Sequence, residues 1–302
     1  MSISLAVMFV IVGAAAGTLS TSFGIGGGAL STPAIRALGI SALDAIGTTL
    51  PSVLPGVVTG MLHYRKQHLI RYKLVWIVTI PGVFAAVFGS FFSHSLPGNG
   101  HLIMIITAAI LLINAIRLAK TPKTNTSKHP PGWDLPMITE EGDLVGDMPD
   151  AYTYTKDNQD IPDPQDISVL ALHKHLEGRE VFRIGTIGII AGLISGMLGL
   201  GGGIVLVPLF VHRLGLTVRE STATSLLCVG VLAVPSIIAH TFIGDINWPV
   251  STLLAIGTVP GAHFGARAAA RVSDKFFRTS AATVLSVVAL IYGVSELSFF
   301  LK

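Results

Sequence analysis

The sequence predicts an all-α polytopic membrane protein built from two inverted repeats. Each repeat is a glycine-broken, hairpin-like element followed by three transmembrane helices. Three observations predict this. Of 302 residues, 51% are hydrophobic and only 12% charged, where an average soluble domain carries about 25% charged residues; mean hydropathy is +0.69. Ordered motifs recur in the two halves at a slowly drifting offset of 175 to 179 residues. Basic loops fall at alternate positions in the two halves.

The composition excludes a disordered chain and a nucleic-acid-binding domain. The single Cys228 cannot close an internal disulfide, which excludes a disulfide scaffold. The formal charge of +3 hides a split. Residues 119–180 hold most of the acids, from Asp134 to Glu180. The rest of the chain holds only Asp44, Glu220, Asp245, Asp274 and Glu296. The predicted organisation is therefore a first membrane repeat at 1–118, an acidic polar linker at 119–180 and a second membrane repeat at 181–302. The linker reads as cytoplasmic and partly disordered, with one short helix near 169–177.

A span needs about 20 apolar residues. Suitable runs lie at 44–64, 74–92 and 101–118, and again at 221–243, 249–270 and 276–300. The runs at 3–39 and 181–215 are too long for one crossing. Each is interrupted by a glycine block, Gly24-Ile25-Gly26-Gly27-Gly28 or Gly199-Leu200-Gly201-Gly202-Gly203. The blocks, together with Gly17 and Gly192 and with Pro33 and Pro208, match at an offset of 175. Asp44 matches Glu220, and Thr48-Thr49 matches Thr224-Ser225, at 176. His63 matches His240 at 177, and Thr79-x-Pro81-Gly82 matches Thr258-x-Pro260-Gly261 at 179.

Lysine and arginine favour the cytoplasmic side. If every element crossed once from an inner start, seven of the 20 basic residues would fall outside. If each broken element enters and returns on one side, only Arg36 and Lys302 do. The second arrangement places both termini outside and the linker inside, and it inverts the second half relative to the first.

Irregular backbone within a bilayer is tolerated only against protein or a water-filled cavity. A half-helix starting after each glycine block aims free N–H groups and a positive dipole end at the break. Two such breaks meeting near the midplane make a site for a small anion. The candidate binding residues are Ser20, Thr21, Ser22, Gly24, Gly26, Gly27 and Gly28 around the first break. Around the second they are Ser195, Gly199, Gly201, Gly202 and Gly203. Thr48, Thr49, Thr224 and Ser225 lie on the helices that follow. Hydroxyls can donate to anionic oxygens without a buried charge. The competing readings are close helix packing for the glycines and bonding back to the helix for Ser and Thr.

His240 and His263 are candidates for gating, and His240 also for proton coupling. Asp44 and Glu220 read as helix caps. His173 and His175 in the linker lack the further ligands a metal site needs. No catalytic residue, metal or cofactor is predicted. The first block lacks the Gly-Lys-Ser/Thr ending of a nucleotide loop, and neither an H-E-x-x-H motif nor a nucleophile elbow occurs. Cys228 reads as a packing residue.

Taken together, the duplicated glycine blocks, Pro33 and Pro208, Gly39-Ile40-Ser41 and Gly215-Leu216-Thr217, the acid with its Thr/Ser pair, and the His and Pro-Gly that follow resemble the sulfite exporter TauE/SafE family. The resemblance covers both halves but not the linker, which is longer than the family leads one to expect. It implies a bacterial or archaeal inner-membrane, multi-pass permease for small, mostly sulfur-containing anions such as sulfite or organosulfonates. The expected partners are a small anionic substrate and the lipid bilayer, with no nucleic acid; a homo-oligomer and a cytoplasmic partner for the linker stay open. The leading reading is export by alternating access. A passive anion channel and a membrane sensor acting through the linker are the alternatives.

Overall fold

The computed structural model describes residues 2–96, 100–120, 137–138, 144–145, 178–271, 279–280, 282–290 and 293. In chain order the helices are α1 (Ile3–Phe23), α2 (Gly28–Ala37), α3 (Ala42–Arg65), α4 (Tyr72–Ser95), α5 (His101–Lys120), α6 (Gly178–Leu198), α7 (Gly203–Leu214), α8 (Val218–Ile243) and α9 (Trp248–Arg271). Residues 282–290 are also helical. Two residue pairs, Met137–Ile138 and Leu144–Val145, form a minimal antiparallel ladder. The predicted helix at 169–177 and most of the linker lie outside the described residues, as does much of the last predicted span.

Caps fix where helices begin. The Ser41 hydroxyl accepts from the Asp44 N–H at 3.1 Å. Thr217 and Glu220 form a reciprocal capping box at the start of α8. α1 ends on Gly24 and α8 on Gly244, both left-handed.

Among the described residues, five helices are long and apolar enough to cross a membrane: Ile3–Phe23, Ala42–Arg65, Tyr72–Ser95, Val181–Leu198 and Val218–Ile243. Their outward faces carry exposed Trp76, Phe84, Phe88 and Phe242, as lipid contact requires. The protein is a helical, multi-pass membrane protein.

The two halves are interleaved. α1 lies along α9, and its counterpart α6 lies along α4. Both contacts are made through small residues. A Cβ on Gly261 would stand 2.0 Å from the Ala14 carbonyl oxygen, and one on Gly257 the same distance from that of Val10. On the other side, a Cβ on Gly192 would stand 2.1 Å from the Gly82 carbonyl oxygen and one on Gly188 1.9 Å from that of Val78. With no hydrophobic drive between helices in lipid, such close backbone approach supplies the packing. Hydroxyls add to it: Thr18 donates to the Gly261 carbonyl at 3.1 Å, and Ser22 to that of Gly265 at 3.0 Å.

These contacts fix helix directions. Residue numbers rise together along α1 and α9, and along α4 and α6. Along α3 and α8 they run oppositely, Gly60 meeting Leu226 and Gly230 meeting Val57. Gly47 meets Asp245 and Gly56 meets Thr258, so α3 runs with α9. α1, α3 and α9 therefore point one way and α4, α6 and α8 the other. One end of the bundle collects Arg65, Lys66, Arg71, Lys73, Arg183, Arg219 and Arg267. The opposite end holds Arg36, Asp44, His94 and Asp245.

Candidate functional site: two broken helices in contact

The chain breaks between α1 and α2 and between α6 and α7 because neither block can continue a helix. Gly24, Gly26, Gly199, Gly201 and Gly202 all have φ between +66° and +87°, a region that side chains avoid. The two breaks then touch along their length. A Cβ on Gly28 would lie 2.2 Å from the Gly199 carbonyl oxygen, one on Gly26 2.4 Å from that of Leu200, and one on Gly203 2.3 Å from that of Gly24. The first break therefore runs antiparallel to the second, with Gly24 opposite Gly203 and Gly28 opposite Gly199.

Breaking two helices here leaves backbone donors over. Among the described residues, no backbone carbonyl takes the N–H of Ile25, Gly26, Gly27, Leu200, Gly201 or Gly202. Four buried hydroxyls of the described residues also lack a partner: Ser20, Ser195, Ser221 and Thr222. Ser20 and Ser195 occupy equivalent places, one turn before each break. Thr222 packs its backbone against Gly24. Donors left unpaired in a buried region are costly, and an oxyanion would satisfy several at once. Among the described residues, no lysine or arginine is a nearest neighbour of the break glycines. Beside the first break a small apolar cavity of about 20 Å³ is lined by Leu19, Phe23, Ile25 and Leu285, room for about one water.

The other predicted binding residues have partners. Thr21 donates to the Gly17 and Ala262 carbonyls at 2.9 and 3.0 Å, joining α1 to α9, as Ser22 does through Gly265. The Thr48 hydroxyl accepts the Asn247 N–H at 2.9 Å, and Thr224 accepts the Arg71 N–H at 3.1 Å. These two bonds are repeat equivalents and cap the starts of α9 and α4. Thr49 bonds to Thr32 at 3.0 Å and back to the Ala45 carbonyl. Ser225 donates to the Gly24 carbonyl at 3.0 Å and so holds the break itself. Gly27 is the loosest of the break glycines, its nearest neighbours being Val53 and Ala16.

Ser221 and Thr222 were not among the sequence candidates. The run Ser221-Thr222-Ala223-Thr224-Ser225 carries four hydroxyls, and the repeat match drew attention to the last two.

The two histidines differ. His263 is exposed on the outer face of α9, its ring 6.3 Å from Phe264. His240 is wholly buried at the far end of α8. Its Nδ1 lies 2.7 Å from Asp245 Oδ2 and its Nε2 3.0 Å from the Gly196 carbonyl oxygen. Its structural counterpart in the first half is Tyr64 rather than His63. Tyr64 donates to the Thr21 carbonyl at 2.6 Å, as His240 Nε2 faces that of Gly196. At the basic end, Arg71 bonds Glu220 at 2.6 Å. Cys228 is a buried core residue.

Two broken helices meeting inside a multi-pass helical bundle are an arrangement found in membrane transport proteins. The profile of the sulfite exporter TauE/SafE family matches residues 9–292, and the chain belongs to that family. It is 22% identical over 295 residues to a protein of Bacillus subtilis named as the probable membrane transporter YunE, covering 95% of each chain. It is 23% identical to YjnA of the same organism, over 96% of this chain and 99% of that one. A further relative named as a probable membrane transporter, from Methanocaldococcus jannaschii, is 24% identical over 94% of this chain and 93% of its own. No solved structure matches the chain. All three relatives are named as probable membrane transporters.

Proposed function

We propose that this protein carries a small, sulfur-containing anion such as sulfite or an organosulfonate across the membrane, in the direction of export. The anion binds between the two breaks. The observation that carries this reading is the set of six backbone N–H groups without a carbonyl partner at the contact of the breaks, with the unpartnered hydroxyls of Ser20 and Ser195 one turn before each break. Donors without a fixed cation suit a small oxyanion that must be bound and then released. An inside-negative potential favours anion exit by about 2.3 kcal/mol per charge per 100 mV.

The two halves act as inverted repeats that rock against each other. Equivalent helices α3 and α8 running antiparallel, and the crossed pairs α1–α9 and α4–α6, support that reading. The basic residues gathered at one end support a cytoplasmic linker, with the opposite end outside. The breaks in backbone contact support a carrier over an open pore, since nothing can pass between them without a rearrangement.

The test is uptake of radiolabelled sulfite, sulfate, sulfoacetate and taurine into proteoliposomes with a potential of either sign. Saturable, potential-driven flux of one of these with counterflow is the expected result. Flux that never saturates supports a pore, and no flux of any of them from folded protein overturns the sulfur-anion reading.

A further inference from the structure

We propose that His240, Asp245 and His94 form a proton-binding site that couples protons from the end of the bundle opposite the basic residues to the second broken helix. The proposal deepens the transport reading, and rests on it for the meaning of coupling, but the site stands on its own geometry.

The proton count follows from the contacts. A carbonyl oxygen only accepts, so His240 Nε2, 3.0 Å from the Gly196 carbonyl, carries a hydrogen. Nδ1 and Asp245 Oδ2, 2.7 Å apart, share one more proton between them. Removing that proton leaves a lone pair facing a carboxylate. Asp245 is 7% exposed, and its Oδ1 already has no partner. A buried carboxylate stripped of its one close donor is strongly unfavourable, so loss of the proton drives the loop holding Asp245 away from α8. Binding of the proton closes it again.

The route to water is His94, whose Nε2 is 3.4 Å from the same Oδ2 and whose side chain is 29% exposed. Its Nδ1 is held by Ser93 at 3.1 Å. The groups facing the pair from each neighbouring element are His94 from α4, the Gly196 carbonyl from α6, and Gly47 from α3, against which Asp245 Oδ1 packs. A metal ion does not suit the site, because neither ring nitrogen of His240 has a free lone pair pointing at open space.

The link to transport is Gly196. It lies three residues before Gly199, and the break deprives its carbonyl of the helical partner it would otherwise have. His240 supplies that partner, so the charge on His240 acts directly on the end of α6. The first half shows that the packing alone needs no ionisable pair. There Tyr64 donates to the Thr21 carbonyl, and Leu69 stands where the second half has Asp245.

That comparison supplies the decisive variant. The double substitution His240→Tyr with Asp245→Leu gives the second half the first half's own residues, and Asp245→Asn is the smaller change. Two readouts are made on full-length protein. In nanodiscs, nitrogen-15 signals of the histidine rings are followed from pH 5 to 9. The expected result is that the His240 and His94 signals titrate together in the wild type, and that the His94 transition shifts in Asp245→Asn. An unresponsive His240, or identical titrations in wild type and variant, overturns the site.

In proteoliposomes, sulfite flux and trapped-dye acidification are recorded together. Wild type is expected to move protons with sulfite. Folded double variant should lose proton movement relative to sulfite by at least about tenfold, in line with the usual size of a coupling energy. Proton movement unchanged in the double variant, or absent from a sulfite-transporting wild type, overturns the coupling. A wild type that moves no sulfite counts against the substrate, and the ring titration then decides the proton site alone.

Discussion

Replacing Gly28 by alanine isolates the contact between the breaks from every other role a glycine can have. Gly28 opens α2 in ordinary helical geometry, so alanine costs that helix nothing and favours it by up to about 1 kcal/mol. The new Cβ would stand 2.2 Å from the Gly199 carbonyl oxygen and 2.9 Å from Leu200 Cα, where ordinary contact begins at 3.4 Å. Both obstacles are backbone, and no flexible side chain can give way. The breaks must therefore part by about 1 Å, an overpacking cost of about 1–3 kcal/mol. A displacement of about 1 Å at a binding constellation lowers rate by about a hundredfold. Gly39→Ala is the control. Its φ is +96° with nothing within 4 Å of the Cβ, so it loses a comparable amount, about 1–2 kcal/mol, through backbone strain alone. It lies in the α2–α3 turn, away from the breaks. Sulfite counterflow per folded molecule, beside thermal unfolding of both variants, makes the comparison. Gly28→Ala is expected to lose transport far beyond its loss of stability, and Gly39→Ala only stability. Wild-type counterflow in Gly28→Ala would refute the assignment of the site to the contact of the breaks.

Ser20→Ala and Ser195→Ala remove hydroxyls that have no partner, so unfolding temperature should hold while the KM for sulfite rises about tenfold or more each, the size of a bond to a charged acceptor. Gly192→Ile places a branched side chain where even a Cβ meets the Gly82 carbonyl oxygen at 2.1 Å; it should fail to yield monodisperse protein by size exclusion. Tyr64→Phe leaves the buried Thr21 carbonyl without its donor and should cost about 1–3 kcal/mol in denaturant unfolding, with no change in the pH profile of flux. Arg71→Gln breaks a partly exposed ion pair with Glu220 and should cost about 1 kcal/mol or less, a fall of a few degrees in unfolding temperature.

Much of this was legible in the sequence because membrane helices announce themselves by length and apolarity. Each predicted span with described residues coincides with a helix to within three residues at either end, apart from the last, of which only part is described. The glycine blocks announced the breaks because no other residue tolerates several positive φ values in succession. Hydroxyl roles were less legible, because a serine or threonine reads alike whether it faces a free donor or a neighbouring carbonyl. Only the packing of α9 against α1 shows that Thr21 is spent on Ala262 and that Ser20 is not. The His240–Asp245 pair escaped notice for a related reason. Asp245 sits in a short loop after α8, a place where an acid is ordinarily solvated. Its burial depends on α3 bringing Gly47 against it, and nothing local in the sequence encodes that approach. The repeat match also pointed at His63, one residue away from the true counterpart, because matching by identity prefers His with His over His with Tyr.

The substitution of His and Asp for Tyr and Leu gives the two ends of the molecule different chemistry. In a perfectly symmetrical inverted pair, closing one end and opening the other would be isoenergetic, and nothing but the substrate and the potential would bias the cycle. Here the end with the basic residues is tied by Arg71 to Glu220, a partly exposed pair that salt screens and that neutral pH leaves charged. The other end is tied by Asp245, held by buried His240 and facing His94 of the first half, a contact that needs a proton to hold. Salt should therefore loosen the first tie and pH the second. Raising the ionic strength and raising the pH would then push the same two-state equilibrium in opposite directions. Cysteines introduced at His68 and at Gly39, in a Cys228→Ala background, would report this as opposite changes in labelling rate at the two ends. Labelling that responds to both conditions in the same direction would show that the two ties do not belong to one rocking motion.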